Sequence, residues 1–239
     1  MTYRLWRCCC AEGLGTFALV FAGTGAIVVD SLSGQVTHVG IALTFGLVVF
    51  AIIAALGDVS GAHINPAVTL GFVAAGRFPL RWAFFYLLAQ FLGATLASVV
   101  IQELWSGSPT LGETIPRDSS TQAWVMEFIL TAGLMFVILN VSTGAKEKGI
   151  TAGMAIGSVV AVEALVGGPV SGASMNPAHS FGPAVVSLNC QHLWIYLTAP
   201  VIGALLAVIC CGIIRGRSCC TSDDERVEPM PMSVTTKSS

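Results

Sequence analysis

Apolar residues fill six stretches of roughly 20 positions, at 10–29, 37–56, 82–103, 122–142, 149–167 and 192–214. A helix rises about 1.5 Å per residue, so about 20 apolar residues cross a hydrocarbon core about 30 Å thick. The pattern predicts six membrane-spanning helices. Two further apolar segments, 66–75 and 177–188, are about half as long. They read as half-helices that enter the membrane and return. Irregular backbone survives at membrane depth only where protein buries it or water wets it. The loops before the half-helices, Gly57–Ile64 and Gly167–Met175, are rich in Gly and Ser, as a re-entrant path requires. The first stretch lacks a small-residue cleavage site followed by polar sequence, so it reads as a span and not as a signal peptide.

Composition agrees with an all-α integral membrane protein. Of 239 residues, 54% are hydrophobic and 10% charged, with a mean hydropathy of +0.80. Soluble domains carry about 25% charged residues. The net charge of -2 gives no reason to expect nucleic acid as a partner. Lys and Arg are placed asymmetrically. Arg4, Arg7, Arg77, Arg81, Lys146, Lys148, Arg215, Arg217, Arg226 and Lys237 share one side of an alternating six-span chain, and only Arg117 falls on the other. By the positive-inside rule both termini are expected in the cytoplasm, in a multi-pass protein of the cell membrane. Residues 1–9 read as a cytoplasmic N-terminus, 10–214 as the membrane domain, and 215–239 as a polar, disordered cytoplasmic tail with acids at Asp223, Asp224, Glu225 and Glu228. The eight cysteines lack zinc or disulfide-framework spacing; they read as apolar filler, with palmitoylation of the juxtamembrane pairs as the alternative.

The chain repeats itself. Ser60-Gly61-Ala62-His63-Ile64-Asn65-Pro66-Ala67 returns 111 positions later as Ser171-Gly172-Ala173-Ser174-Met175-Asn176-Pro177-Ala178. Asn before Pro is a helix-start signal: the Asn side chain caps free N–H groups, and Pro occupies the first turn, where it has no N–H to lose. Repeat one covers about 10–104 and repeat two about 122–214. Three spans per repeat is an odd number, so the repeats have opposite topology and their half-helices meet near the midplane. Small residues at Gly93, Ala97, Gly203 and Ala207 allow close helix contacts. The positive helix N-termini, placed tip to tip, would repel cations and hydronium. Asn65 and Asn176 would each offer an N–H to a passing oxygen.

These boxes and the duplicated three-span halves resemble the major intrinsic protein family, the aquaporins and aquaglyceroporins, from Glu12 to about Gly212. Tyr196 with Leu197 is similar to the nodulin-26-like subgroup and its bacterial relatives, whereas Ser180 and Ala184 resemble the water-pore pattern. The resemblance implies an aquaporin fold and a homotetramer with one pore per subunit, without cofactor or metal. It implies a passive channel for water and small uncharged solutes, such as glycerol and metalloid acids, that excludes ions and protons. It gives the pore midplane to Asn65, Pro66, Ala67, Asn176, Pro177 and Ala178, and loop support to Glu12, Glu127 and His63. Asp58 and Glu163 read as loop braces or mouth charges near span ends. The family's outer filter maps to Phe45, Ala164, Ala173 and His179. The last position departs from the family, which has Arg directly after the second box. A histidine there is a smaller, mostly neutral donor near pH 7. Ala164 stands where strict water pores have His, so a wide aperture is expected. His179 is further expected to make flux pH-dependent, unless its ring turns away to bond a loop carbonyl. No nucleophile–base pair, metal cluster or phosphate loop suggests an enzyme. A proton-coupled secondary transporter of small neutral solutes remains the alternative, since transporters also use inverted repeats.

Overall fold

The apolar stretches fold as helices in the computed structural model, which describes residues 3–108, 110–142 and 150–216. Eight helices are found among the described residues: α1 (Tyr3–Ser33), α2 (Thr37–Ser60), α3 (Pro66–Ala74), α4 (Leu80–Leu104), α5 (Ser120–Val141), α6 (Ile150–Ser171), α7 (Pro177–Val186) and α8 (Leu193–Arg215). Six are long and apolar enough to cross a membrane. The half-helices α3 and α7 are 9 and 10 residues long. The outer surface is apolar, with Leu47, Leu92 and Val166 all more than 60% exposed. Among the described residues, large aliphatic side chains thus cover the face that lipid would solvate.

Three helices are longer than the sequence pattern predicts, each for a local reason. α1 starts at Tyr3, inside the segment read as an N-terminal extension, because Leu5, Cys8 and Cys9 pack with Tyr86. α2 continues through Gly57 to Ser60 and α6 through Gly167 to Ser171, so the re-entrant loops shorten to about 61–65 and 172–176. Packing on both sides outweighs the weak helix propensity of glycine there. α6 also runs through Pro169. Proline lacks an N–H, which leaves the carbonyl of Leu165 without its helical donor. His38 Nε2 donates to that carbonyl at 2.8 Å. His38→Ala is therefore expected to destabilise the protein by about 1 kcal/mol or less, since water can partly substitute at this exposed site. The effect should vanish in a Pro169→Ala background; unfolding in detergent, followed for all four combinations, checks this.

The two halves pack alike. α1 packs along α4 as α5 does along α8, and α2 crosses α6 at the centre. The crossing is close because both contact residues are glycines. A Cβ on Gly46 would lie 2.5 Å from the Gly157 carbonyl oxygen, and one on Gly157 would lie 2.6 Å from that of Gly46. Gly93 and Gly203 play matching parts: a Cβ on either would lie 2.2 and 2.4 Å from the carbonyl oxygens of Gly13 and Phe128. Ala97 and Ala207 are buried on the same helices. Glu163 lies inside α6, not at its end as the sequence reading has it. It is buried, with one oxygen against Gly133 of α5 and Oε2 without a protein partner. Lys146, Lys148 and the tail beyond residue 216 lie outside the described residues.

Candidate functional site

Each half-helix begins on its asparagine. Asn65 has extended backbone, and its Oδ1 accepts from the N–H of Ala67 at 2.9 Å and Val68 at 3.5 Å. Asn176 does the same for Ala178 at 3.0 Å. Pro66 and Pro177 occupy the first helical position. The amide nitrogens have a second task. Asn65 Nδ2 donates to the Met175 carbonyl at 2.8 Å, and Asn176 Nδ2 donates to the Ile64 carbonyl at 2.9 Å. The halves are cross-braced at their tips. An amide nitrogen carries two N–H groups, so each asparagine commits one and has one left over.

The loops that reach these tips are strained. Ala62 and Ile64, and their counterparts Ala173 and Met175, all have positive φ, between 43° and 53°. Such a backbone costs of order 1–3 kcal/mol per non-glycine residue. Gly61 and Gly172, with φ of 87° and 86°, close α2 and α6 without that penalty. Two buried carboxylates hold the strained segments. Glu12 Oε1 accepts from Ser60 Oγ at 2.7 Å and His63 N at 2.9 Å; its Oε2 accepts from Ile64 N at 2.6 Å and Gln90 Nε2 at 2.8 Å. Glu127 Oε1 accepts from Ser171 Oγ at 2.7 Å and Ser174 N at 2.8 Å; its Oε2 accepts from Met175 N at 2.7 Å. Charge-assisted bonds of this kind are about twice as strong as neutral ones. The His63 ring is buried; its Nδ1 lies 3.1 Å from Thr69 Oγ1, and the ring stacks on Phe72 at 4.7 Å.

Sequence reasoning missed part of this support. Tyr86 and Tyr196 donate to the carbonyls of Ser60 and Ser171 at 2.9 and 2.6 Å, anchoring the ends of α2 and α6. Their nearly equal offsets from the two boxes, 21 positions after Asn65 and 20 after Asn176, were the available signal. The second loop is also held by a hydroxyl chain, Thr114 to Ser180 to Ser174, at 2.7 and 2.6 Å. Thr114 lies in an irregular segment with no periodicity to mark it.

A cavity of about 610 Å³ runs past the paired tips. At one end it meets Asp58 and Ser142, at the other Phe45, Ala173 and His179. One wall is aliphatic, including Val49, Val68, Ile138 and Val160; the other is the loop backbone with Asn65 and Asn176. The Phe45 and His179 rings meet edge to face with centroids 5.0 Å apart. Ala164, buried one turn beyond Val160, is not in the cavity wall. The His179 ring lines the cavity beside Phe45. Its Nε2 is buried without a protein partner.

An inverted repeat of spans around such a cavity defines a passive channel for water and small solutes. The chain belongs to the major intrinsic protein family, whose sequence pattern matches residues 1–211. It is 46% identical to "Aquaporin NIP1-4" of Oryza sativa subsp. japonica over 216 residues, covering 90% of this chain and 79% of that protein. It is 44% identical to "Nodulin-26" of Glycine max over 207 residues, covering 86% and 76% of the two chains. In fold it is similar to the aquaglyceroporin from Plasmodium falciparum, known from an X-ray structure: TM-score 0.79, 28% identity, 87% of this chain and 95% of that one.

Proposed function

We propose that this channel passes water together with small neutral polyols or metalloid acids and excludes ions and protons. The observation that carries this reading is the pair of helix N-termini meeting inside the cavity, each capped by an asparagine that reaches across to the other loop. Both termini present partial positive charge to the path. The leftover asparagine N–H groups orient a passing oxygen, and a proton arriving along a water file meets the positive field. An uncharged solute meets neither obstacle. The aliphatic wall opposite the polar loop suits molecules with a carbon side and a hydroxyl side. Such a path does no bond chemistry, so the protein acts as a conduit and not as an enzyme.

Phe45, Ala173 and His179 line the filter in this reading, with Ala164 behind the wall where a larger side chain would reach in, and Glu12, Glu127 and His63 hold the loops. The channel domain comprises 10–214, works as a homotetramer in the cell membrane, and keeps both termini in the cytoplasm, where most Lys and Arg then lie. Stopped-flow light scattering on proteoliposomes tests the reading by comparing water, glycerol and urea. Solute flux that needed a proton gradient would favour the coupled transporter instead. Ala164→His is expected to lower the glycerol-to-water flux ratio by roughly tenfold, an added barrier of about 1.4 kcal/mol for glycerol alone. An unchanged ratio would remove Ala164 from the filter.

A further inference from the structure

We propose that Gly23, which is none of the four filter positions, sets the width of the channel's narrow end by receiving the ring of Phe45. The proposal rests on reading Phe45 and His179 as the narrowing. α1 lines the cavity through Leu19, and Gly23 lies one helical turn further along the same face. A Cβ on Gly23 would stand 2.1 Å from Phe45 Cε1, 2.3 Å from Cζ and 2.7 Å from Cδ1. No side chain fits at those distances, so the ring rests directly on the α1 backbone. Its edge-to-face partner is His179, at 5.0 Å.

The ring has little choice of where to go if that notch is filled. α2 cannot slide, because the next residue, Gly46, is held against the Gly157 carbonyl with no room for even a methyl group. α1 is held in turn by its close crossing with α4, at Gly13 and Gly93. What remains is rotation of the Phe45 side chain away from α1, into the cavity it already lines and toward His179. Interiors resist added methyl groups by displacing whichever side chain is freest. Gly23 is thus a positioning residue: it acts on solutes through the ring of Phe45 without touching them.

The test is a double-mutant cycle of Gly23→Ala and Phe45→Leu in proteoliposomes, read as the glycerol-to-water flux ratio. Water flux in the same vesicles reports intact channels. Gly23→Ala should lower the ratio by about fivefold or more while water flux changes by less than about twofold, because only the wider molecule feels the displaced ring. Phe45→Leu should raise the ratio severalfold. Adding Gly23→Ala to the Phe45→Leu background should then change nothing, since no ring remains to be displaced. If Phe45→Leu leaves the ratio untouched, the filter reading itself falls. If Phe45→Leu raises it but Gly23→Ala does not lower it, or lowers it equally in both backgrounds, the filter stands and the role of Gly23 is overturned. Should Gly23→Ala fail to assemble, the double variant decides. Assembly with the ratio of Phe45→Leu supports the notch, and failure of the double variant as well overturns it.

Discussion

Glu127→Leu is expected to abolish water permeability by removing the folded channel, not by blocking it. The substitution is close in volume and suits the apolar surroundings, so packing alone would tolerate it. It takes away the acceptors of the Ser174 and Met175 N–H groups and of the Ser171 hydroxyl. Each buried donor left without a partner costs about 1–3 kcal/mol. The loop they belong to also stores strain at Ala173 and Met175, which persists only while the surroundings impose it. The total, roughly 3–9 kcal/mol, is comparable with the whole stability of a typical domain. Glu127→Gln retains one acceptor oxygen but turns the other into a donor facing a donor, so an intermediate loss is expected. Monodisperse yield in detergent and water flux per reconstituted protein measure both effects. A Leu variant with wild-type yield and flux would show that the carboxylate is dispensable to the loop.

The spans, the half-helices and their inverted arrangement were legible in the sequence because each has a signal of its own. Span length follows from bilayer thickness, and Asn-Pro marks a helix start wherever it occurs. The repeat made the two tips meet, because an odd number of spans forces opposite topology. Less legible was whatever depends on distances across the fold. The asparagine amides were read as free donors, yet each commits one N–H to a carbonyl more than 100 positions away. Glu163 reads in sequence as a loop brace or mouth charge because its neighbours there give no sign of Gly133 beside it. The Gly-rich ends of α2 and α6 read as loops, since propensity registers neither the packing around them nor, in α6, the bond from His38 that repairs the break at Pro169. Gly23 carries no mark in sequence at all; only the ring of Phe45 against its backbone gives it meaning.

Asn65→Asp is expected to open the channel to cations while leaving α3 capped. Asp is as good an N-cap as Asn, and its carboxylate can still accept from Ala67 and Val68. What changes is the field. Each half-helix N-terminus is equivalent to roughly half a positive charge, so the two together present about one. A carboxylate at their meeting point cancels it, in an enclosed site where charges act more strongly than in water. The Met175 carbonyl also loses its donor and faces a negative oxygen instead, which loosens the cross-brace on that side. Asn65→Ala separates the two consequences. It removes the cap and the brace, at a cost of about 1 kcal/mol for the cap, but leaves the positive field in place, so it should stay closed to ions. Cation and proton flux into proteoliposomes, normalised to water flux in the same preparation, gives the comparison. Cation flux should rise at least about tenfold in Asn65→Asp, a barrier lowered by about 1.4 kcal/mol, and stay near background in Asn65→Ala. Equal ion-tightness in both variants, with water flux retained, would mean that ions are excluded by width at Phe45 and His179 and not by charge at the midplane.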